Sequence, residues 1–251
     1  MKISTSKLNT YSDCPRKYWY SYELFIPTPK SEAFWFGGAV HSGLEAYYKG
    51  HDGFQGFRDA LLQSSGREKP AEGVNLEKLE EQGKKIFEIY PKQALYFQPI
   101  LIEHRFTVEL VNPETKEALP AVLTGKIDLV TADGYIIDHK TAAKELSDDY
   151  QMNNLQVNGY AYAYWKIFGQ LPKGVIFNQI IKGNSRREPV IKATNPIKPT
   201  IGDLCFFFQE CKSAIDAIVR KETRDYPNPQ FMTCQFCQYK NICSFKHRKV
   251  R

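Results

Sequence analysis

Apolar positions along the chain follow two periods, about 3.6 and 2, and the switches between them mark out its elements. Ser4 to Tyr22 has helical spacing, broken at Cys14-Pro15 because proline cannot complete a helix hydrogen bond. Phe25 to Lys30 holds two prolines and reads as a connecting loop. A helix follows from about Glu32 to Lys49, centred on FWFGGAVHSGLEAYY. Gly50 to Gly73 is polar and punctuated by glycine, which predicts a loop-rich segment with room for one short helix. Leu76 to Tyr90 has the spacing of an amphipathic scaffold helix. Ile102, His104, Phe106, Val108 and Leu110 then alternate with Glu103, Arg105, Thr107 and Glu109, the pattern of a half-buried strand. Leu123 to Thr141 reads as two apolar strands around an Ala132-Asp133-Gly134 turn. A helix capped by Ser147 or Asp148 runs to Phe168 and ends at Gly169, Gly174 to Lys182 is a strand, and Asp203 to Lys221 is a long helix. The fold class predicted is α/β, a small mixed sheet with the hairpin at its centre and helices on its flanks. No internal repeat or clean boundary divides residues 1–251, which read as one domain.

The hairpin carries charge where a buried one would carry Val or Ile: Asp128, Asp138 and Lys140. Two carboxylates and an ammonium on a nearly buried sheet are costly unless they bind a metal or one another. Two acids can hold Mg²⁺ or Mn²⁺, and a lysine two residues after the second acid points to the same side of its strand. Such a lysine can orient or deprotonate an attacking water, which suits metal-assisted hydrolysis of a phosphodiester. Register tests the reading. A two-residue Asp133-Gly134 loop would set Asp128 opposite His139 and turn Asp138 to the other face. A three-residue loop sets Asp128 opposite Asp138, with Gly134 at the left-handed position such a loop needs. The ordinary alternative is a solvated Asp-Lys ladder on a surface hairpin.

Composition narrows the setting. The balance of apolar and charged residues is that of a globular protein, and no apolar run is long enough to span a membrane. The opening MKISTSKLNTYSDC has no apolar signal core, so a cytoplasmic location is expected. A net charge of +6 suits a polyanionic partner through a local cleft. Basic candidates for phosphate contact are Arg16 and Lys17 near the start and Arg186 and Arg187 in a loop. Of the six cysteines, Cys205 and Cys211 fall in the apolar pattern of the last helix and read as core. Cys14, Cys234, Cys237 and Cys243 stand apart, and in a reducing compartment they point to metal or cluster ligation. His41 and Glu45 lie one turn apart on one helix face, beside Gly37 and Gly38, whose small size admits close packing against that turn. Gln156 and Tyr160 are likewise one turn apart.

In this order, a helix with His41, a hairpin with Asp128 and Asp138-x-Lys140, a helix with Gln156-x-x-x-Tyr160 and the flanking cysteines, the chain resembles the RecB-like exonuclease branch of the PD-(D/E)xK nuclease superfamily. It is most similar to members with an iron–sulfur cluster, such as the CRISPR-associated RecB-like exonucleases and the AddB nuclease domain. The resemblance runs from CPRKYWY to the last cysteine. It implies a restriction-endonuclease-like core over about residues 32–222 and an iron–sulfur lobe from 1–24 and 226–246. His41, Asp128, Asp138 and the main-chain carbonyl of His139 would hold Mg²⁺ or Mn²⁺. Lys140 would orient the water, and Gln156 and Tyr160 would stand near the scissile phosphate. Cys14, Cys234, Cys237 and Cys243 would hold a [4Fe–4S] cluster stapling the two ends of the chain. The second acid is Asp where many relatives have Glu, and no proline precedes Asp128. The implied function is metal-dependent DNA cleavage, mainly at ends or on single strands, in repair, recombination or CRISPR and phage DNA processing. A helicase or a CRISPR or recombination complex is the kind of protein partner implied. Two rivals remain, a nuclease-fold module that only binds DNA ends and a nucleic-acid-binding protein clipped by zinc on the four cysteines.

Overall fold

The computed structural model of the chain describes residues 1–67, 73–95, 97–147, 150, 154–184, 186–220 and 234–243. It has an α/β architecture in two compact units, one of Met1–Thr28, Thr107–Gly125 and Ile201–Arg251, the other of Pro29–Phe106 and Lys126–Thr200. No helix among the described residues is long and apolar enough to cross a membrane.

The larger unit, Pro29–Phe106 with Lys126–Thr200, opens with helix α3 (Glu32–Tyr48), started by the Ser31 hydroxyl accepting from the Phe34 N–H. Helices α4 (Gly53–Arg67) and α5 (Leu76–Gln93) follow. Phe36, Val40 and Leu44 of α3 form one core with Phe57 and Leu61 of α4 and Leu79, Ile86 and Tyr90 of α5. Strands β4 (Tyr135–Ala142), β5 (Gly174–Ile181) and β6 (Val190–Ala193) belong wholly to this unit, and helix α6 spans Leu155–Phe168. Strands β2 (Pro99–Val111) and β3 (Ala118–Thr131), paired with each other, contribute residues to both units. β3 pairs antiparallel with β4, β4 parallel with β5, and β5 antiparallel with β6, so the sheet is mixed. β5 is buried on both faces through Ile180, which is why it reads as an unbroken apolar run around Asn178 and Gln179.

The smaller unit holds strand β1 (Lys2–Ile3), parallel to β3 with Lys2 opposite Val122 and Ile3 opposite Leu123. Helices α1 (Thr5–Asp13) and α2 (Pro15–Tyr18) follow, then a π-helical turn over Trp19–Glu23. The break expected at Cys14-Pro15 is present, with Cys14 in extended backbone between α1 and α2. Helix α7 (Ile201–Val219) packs against α1 and buries Leu204, Phe207 and Phe208. Buried Tyr239 ties the cysteine segment to the opening of the chain. Its hydroxyl lies 2.9 Å from Ser21 Oγ and donates to the Ile26 carbonyl at 3.3 Å, and its ring stands 5.2 Å from that of Tyr20.

The loop-rich reading of 50–73 is corrected by α4. Its glycines mark a close helix crossing rather than a break. A Cβ on Gly56 would meet the Ala46 Cβ at 2.6 Å, and one on Gly43 would meet the Phe87 ring at 2.3 Å and the Gly53 carbonyl at 2.6 Å. The start expected at Ser147 or Asp148 lies partly outside the described residues. Ser147 accepts from the Tyr150 N–H, and α6 itself is capped by Asn154, whose side chain accepts from the Gln156 N–H.

Gly43→Ala is therefore expected to destabilise the protein by about 1–3 kcal/mol through overpacking against Phe87. Gly38→Ala, whose Cβ meets nothing within 4 Å, is expected to be neutral or stabilising by up to about 1 kcal/mol. Urea melts of the two variants against wild type check both signs.

Candidate active site

The three-residue loop is the one that forms: β3 ends at Thr131, β4 begins at Tyr135, and Gly134 takes φ +91°. The Thr131 hydroxyl donates to Asp133 Oδ1 at 2.6 Å and accepts the Tyr135 N–H at 2.9 Å, which locks the turn. The register of Leu129 opposite Ile137 and Val130 opposite Ile136, carried one step further, sets Asp128 opposite Asp138. Both carboxylates are buried. The His139 N–H donates to Asp128 Oδ2 at 2.8 Å, which leaves Oδ1 to face His41.

His41 projects from α3 with Nδ1 3.5 Å from Asp128 Oδ1 and 3.5 Å from Glu103 Oε1. His41, Glu103 and Asp128 offer ligand atoms that all lie within 4.8 Å of one another, the one such group of three or more among the described residues. Gly37 helps the helix approach, since a Cβ there would stand 3.3 Å from Thr141 Oγ1 on β4, whereas Gly38 faces open space. Asp138 is outside that trio and holds the Lys140 ammonium at 2.7 Å. Lys140 also donates to Gln156 Oε1 at 2.6 Å, and Gln156 Nε2 donates to the Tyr160 hydroxyl at 2.5 Å. The acid–lysine pair of β4 is thus continued along α6 by residues one helical turn apart.

Glu103 was not a candidate from the sequence, where alternation put it on the polar side of a strand with Arg105 and Thr107. It takes φ +48°, rare for a residue with a Cβ, and its side chain is only 7 % exposed. Strained backbone of this kind marks a position that its surroundings over-determine. Its second oxygen pairs with Lys126, which precedes Asp128 by two residues on β3. The signal in the sequence was Lys126 itself, a cation on the Asp128 face with no carboxylate assigned to it.

His139 is anchored by its ring. Nδ1 lies 3.0 Å from Asn178 Nδ2, Asn178 donates to the Tyr90 hydroxyl at 2.7 Å, and the Tyr48 ring stacks on the imidazole at 5.8 Å. Burial pushes its pKa down to about 4, so the ring is neutral and Nδ1 accepts from Asn178.

The remaining candidates lie elsewhere. Arg16 donates to the Tyr20 hydroxyl at 3.2 Å and sits over the Trp19 and Tyr20 rings, and Lys17 pairs with Asp13 at 3.0 Å. Arg186 and Arg187 are exposed at the turn after β5. None of the six cysteines forms a disulfide. Burial pushes the Cys234 thiol up, and the neighbouring thiols of Cys14, Cys237 and Cys243 push it further. No three of these sulfurs lie within 4.8 Å of one another, so a four-cysteine staple is not shown. Cys211 is buried in α7, and the Cys205 thiol faces Asn112 Oδ1 at 3.8 Å.

Comparison with known proteins decides the family. The model of the PD-(D/E)XK nuclease superfamily matches residues 2–244. The chain belongs to the PD-(D/E)XK nuclease superfamily. A crystal structure described as a "putative exonuclease" from Eubacterium rectale has the same fold at a TM-score of 0.65, with 15 % identity over 100 % of this chain and 91 % of that one. The structure of SSO0001 covers 96 % of this chain and 94 % of its own at 12 % identity, but its TM-score of 0.40 is too low to argue from. No curated protein matches the chain.

Nucleases of the PD-(D/E)XK superfamily use divalent metals, and the donor set here fits one: an imidazole nitrogen and two carboxylates, the mix that suits Mg²⁺ or Mn²⁺ with water completing the shell. Without metal, cations of the protein balance these acids. Burial opposes charge on His41, but Asp128 and Glu103 outweigh it and raise its pKa to about 10. Burial likewise opposes charge on Asp128, and His41 and the His139 N–H overcome it, holding the carboxyl down at about 2. Asp138 goes the other way. Burial lifts it to about 6, with Lys140 pulling down and Asp128 pushing up.

The signs give opposite predictions for the metal-free PD-(D/E)XK protein. Asp138 is raised from 3.8 to about 6, so its ionisation costs nothing below pH 4, costs more as pH rises to 6 and stays costly above. Asp138→Asn removes that cost and is expected to raise stability at pH 8 by up to about 3 kcal/mol, less the lost Lys140 pairing, with no gain at pH 4. Asp128 is lowered, so it stabilises above pH 4, and Asp128→Asn is expected to destabilise at pH 8. Thermal melts in EDTA at the two pH values check both.

Proposed function

We propose that the protein is a Mg²⁺- or Mn²⁺-dependent deoxyribonuclease that hydrolyses phosphodiester bonds at DNA ends or on single strands, in the RecB-like branch of its superfamily. The observation that carries this is the partly buried His41–Glu103–Asp128 group beside the Asp138–Lys140–Gln156–Tyr160 chain. His41, Glu103 and Asp128 would hold the ion, with Asp138 and the His139 carbonyl on the neighbouring strand as further ligands. When bound, a divalent cation polarises the phosphate and lowers the pKa of the attacking water. Lys140, held between Asp138 and Gln156, positions that water and offsets charge on the phosphate. Gln156 and Tyr160 fix the ammonium in place, and burial keeps the Tyr160 hydroxyl protonated as a donor. Intact acids and lysine favour catalysis over a module that only binds DNA ends.

The four cysteines would hold a [4Fe–4S] cluster. That assignment rests on the resemblance of the four-cysteine pattern, with zinc on the same four residues as the alternative. The cluster would reinforce the closure that Tyr239 already makes, next to Arg16 and Lys17 as DNA contacts. Processing of DNA ends in repair, recombination or CRISPR and phage pathways in the cytoplasm, with a helicase or recombination complex as partner, is the setting this activity fits.

Digestion of 5′- and 3′-labelled single- and double-stranded DNA in Mg²⁺, Mn²⁺ or EDTA tests the proposal. Cleavage from ends in either metal and none in EDTA is expected. Asp128→Ala and Asp138→Ala are expected to abolish it, and Lys140→Ala to lose about 10²–10⁴-fold in rate; wild-type rates in any of the three remove the site. Protein purified without oxygen is expected to be brown and Cys234→Ser colourless with a lower Tm. A colourless wild type that releases zinc would assign the cysteines to zinc.

A further inference from the structure

A cavity of about 410 Å³ with mostly charged lining residues lies between α5 and the turn after β5 and has no part in the site described above. One face of α5 lines it through Lys78, Gln82 and Lys85, spaced by four and three residues, and the turn contributes Lys182, Arg187 and Glu188. Its charges do not cancel. Lys85 pairs with Glu81 at 3.4 Å, but among the described residues Lys78, Lys182 and Arg187 have no carboxylate within ion-pair distance. Glu188 is the other carboxylate of the lining and is in none of these ion pairs.

Lys182 shows the imbalance most clearly. Its ammonium sits 4.2 Å above the centre of the Phe36 ring, half-buried. Burial pushes its pKa down, Glu32 opposes that and the nearby Lys78 adds to it. Three cations without a carboxylate at ion-pair distance around one cavity suit an anion that accepts several hydrogen bonds at once. An ammonium at a ring face and a guanidinium beside it are the groups that bind phosphate.

We infer that this cavity binds a phosphate group, presented by a DNA strand on its way to or from the active site. The phosphate chemistry stands on the cavity itself; the DNA source rests on the proposed function. The test uses the whole protein in EDTA, where no cleavage occurs. Binding of a fluorescein-labelled single-stranded oligonucleotide is measured against salt, and inorganic phosphate is titrated separately by calorimetry. The variants are Lys78→Gln, at an exposed helix position, and Lys182→Met, which keeps the stem over Phe36. The double variant is expected to bind the oligonucleotide at least about 10-fold more weakly, with a salt slope shallower by about 1–2, and to lose phosphate binding. Should Lys182→Met not fold, Lys78→Gln alone is expected to lower the slope by about 1. Loss of phosphate binding with oligonucleotide affinity intact would keep the phosphate site and assign it to a free phosphorylated compound. Oligonucleotide and phosphate binding both unchanged in folded variants would overturn the inference. A failure of the nuclease reading would appear elsewhere, as cleavage surviving Asp128→Ala.

Discussion

The Asp128 carboxylate is divided between two jobs, and the larger unit is arranged around that division. One oxygen accepts the His139 N–H from across the hairpin, which fixes the register of β3 on β4. The other turns to His41 on α3 and so shares a space with Glu103 on β2. A buried carboxylate without these partners would cost several kcal/mol. With them it links two strands to a helix.

The charges around it balance only in the state described. Asp128, Asp138 and Glu103 are met by Lys126, Lys140 and a protonated His41. For His41 to serve as a ligand its ring must be neutral, so a divalent cation has to take the place of that proton. The protein's own cations thus hold the acids together in the metal-free state. The two lysines divide the work, Lys126 against Glu103 at the ion-binding trio and Lys140 against Asp138 where α6 supplies Gln156 and Tyr160.

How much of this could be read from the sequence depends on the range of the interaction. The hairpin register was legible because strand period and loop length are local, and Gly134 marks the turn. The Gln156–Tyr160 pair was legible because helix periodicity puts residues four apart on one face. Glu103 was not, because its positive φ departs from the alternation that placed it facing water, and nothing nearby in the chain announces that departure. α4 was missed for a related reason: Gly53 and Gly56 look like helix breakers until Ala46 and Phe87 are seen against them. For the cysteines the grouping was visible, but the spacing of their sulfurs and the Tyr239 tie depend on contacts across most of the chain.

Titration of Mn²⁺ into wild type, Glu103→Gln and Asp128→Asn by calorimetry tests the central claim most directly. If His41, Glu103 and Asp128 form one ion site, wild type binds Mn²⁺ and both variants lose affinity by comparable factors of about 10-fold or more. Unchanged Mn²⁺ affinity in Glu103→Gln would return that residue to the solvent side of its strand and contradict the account.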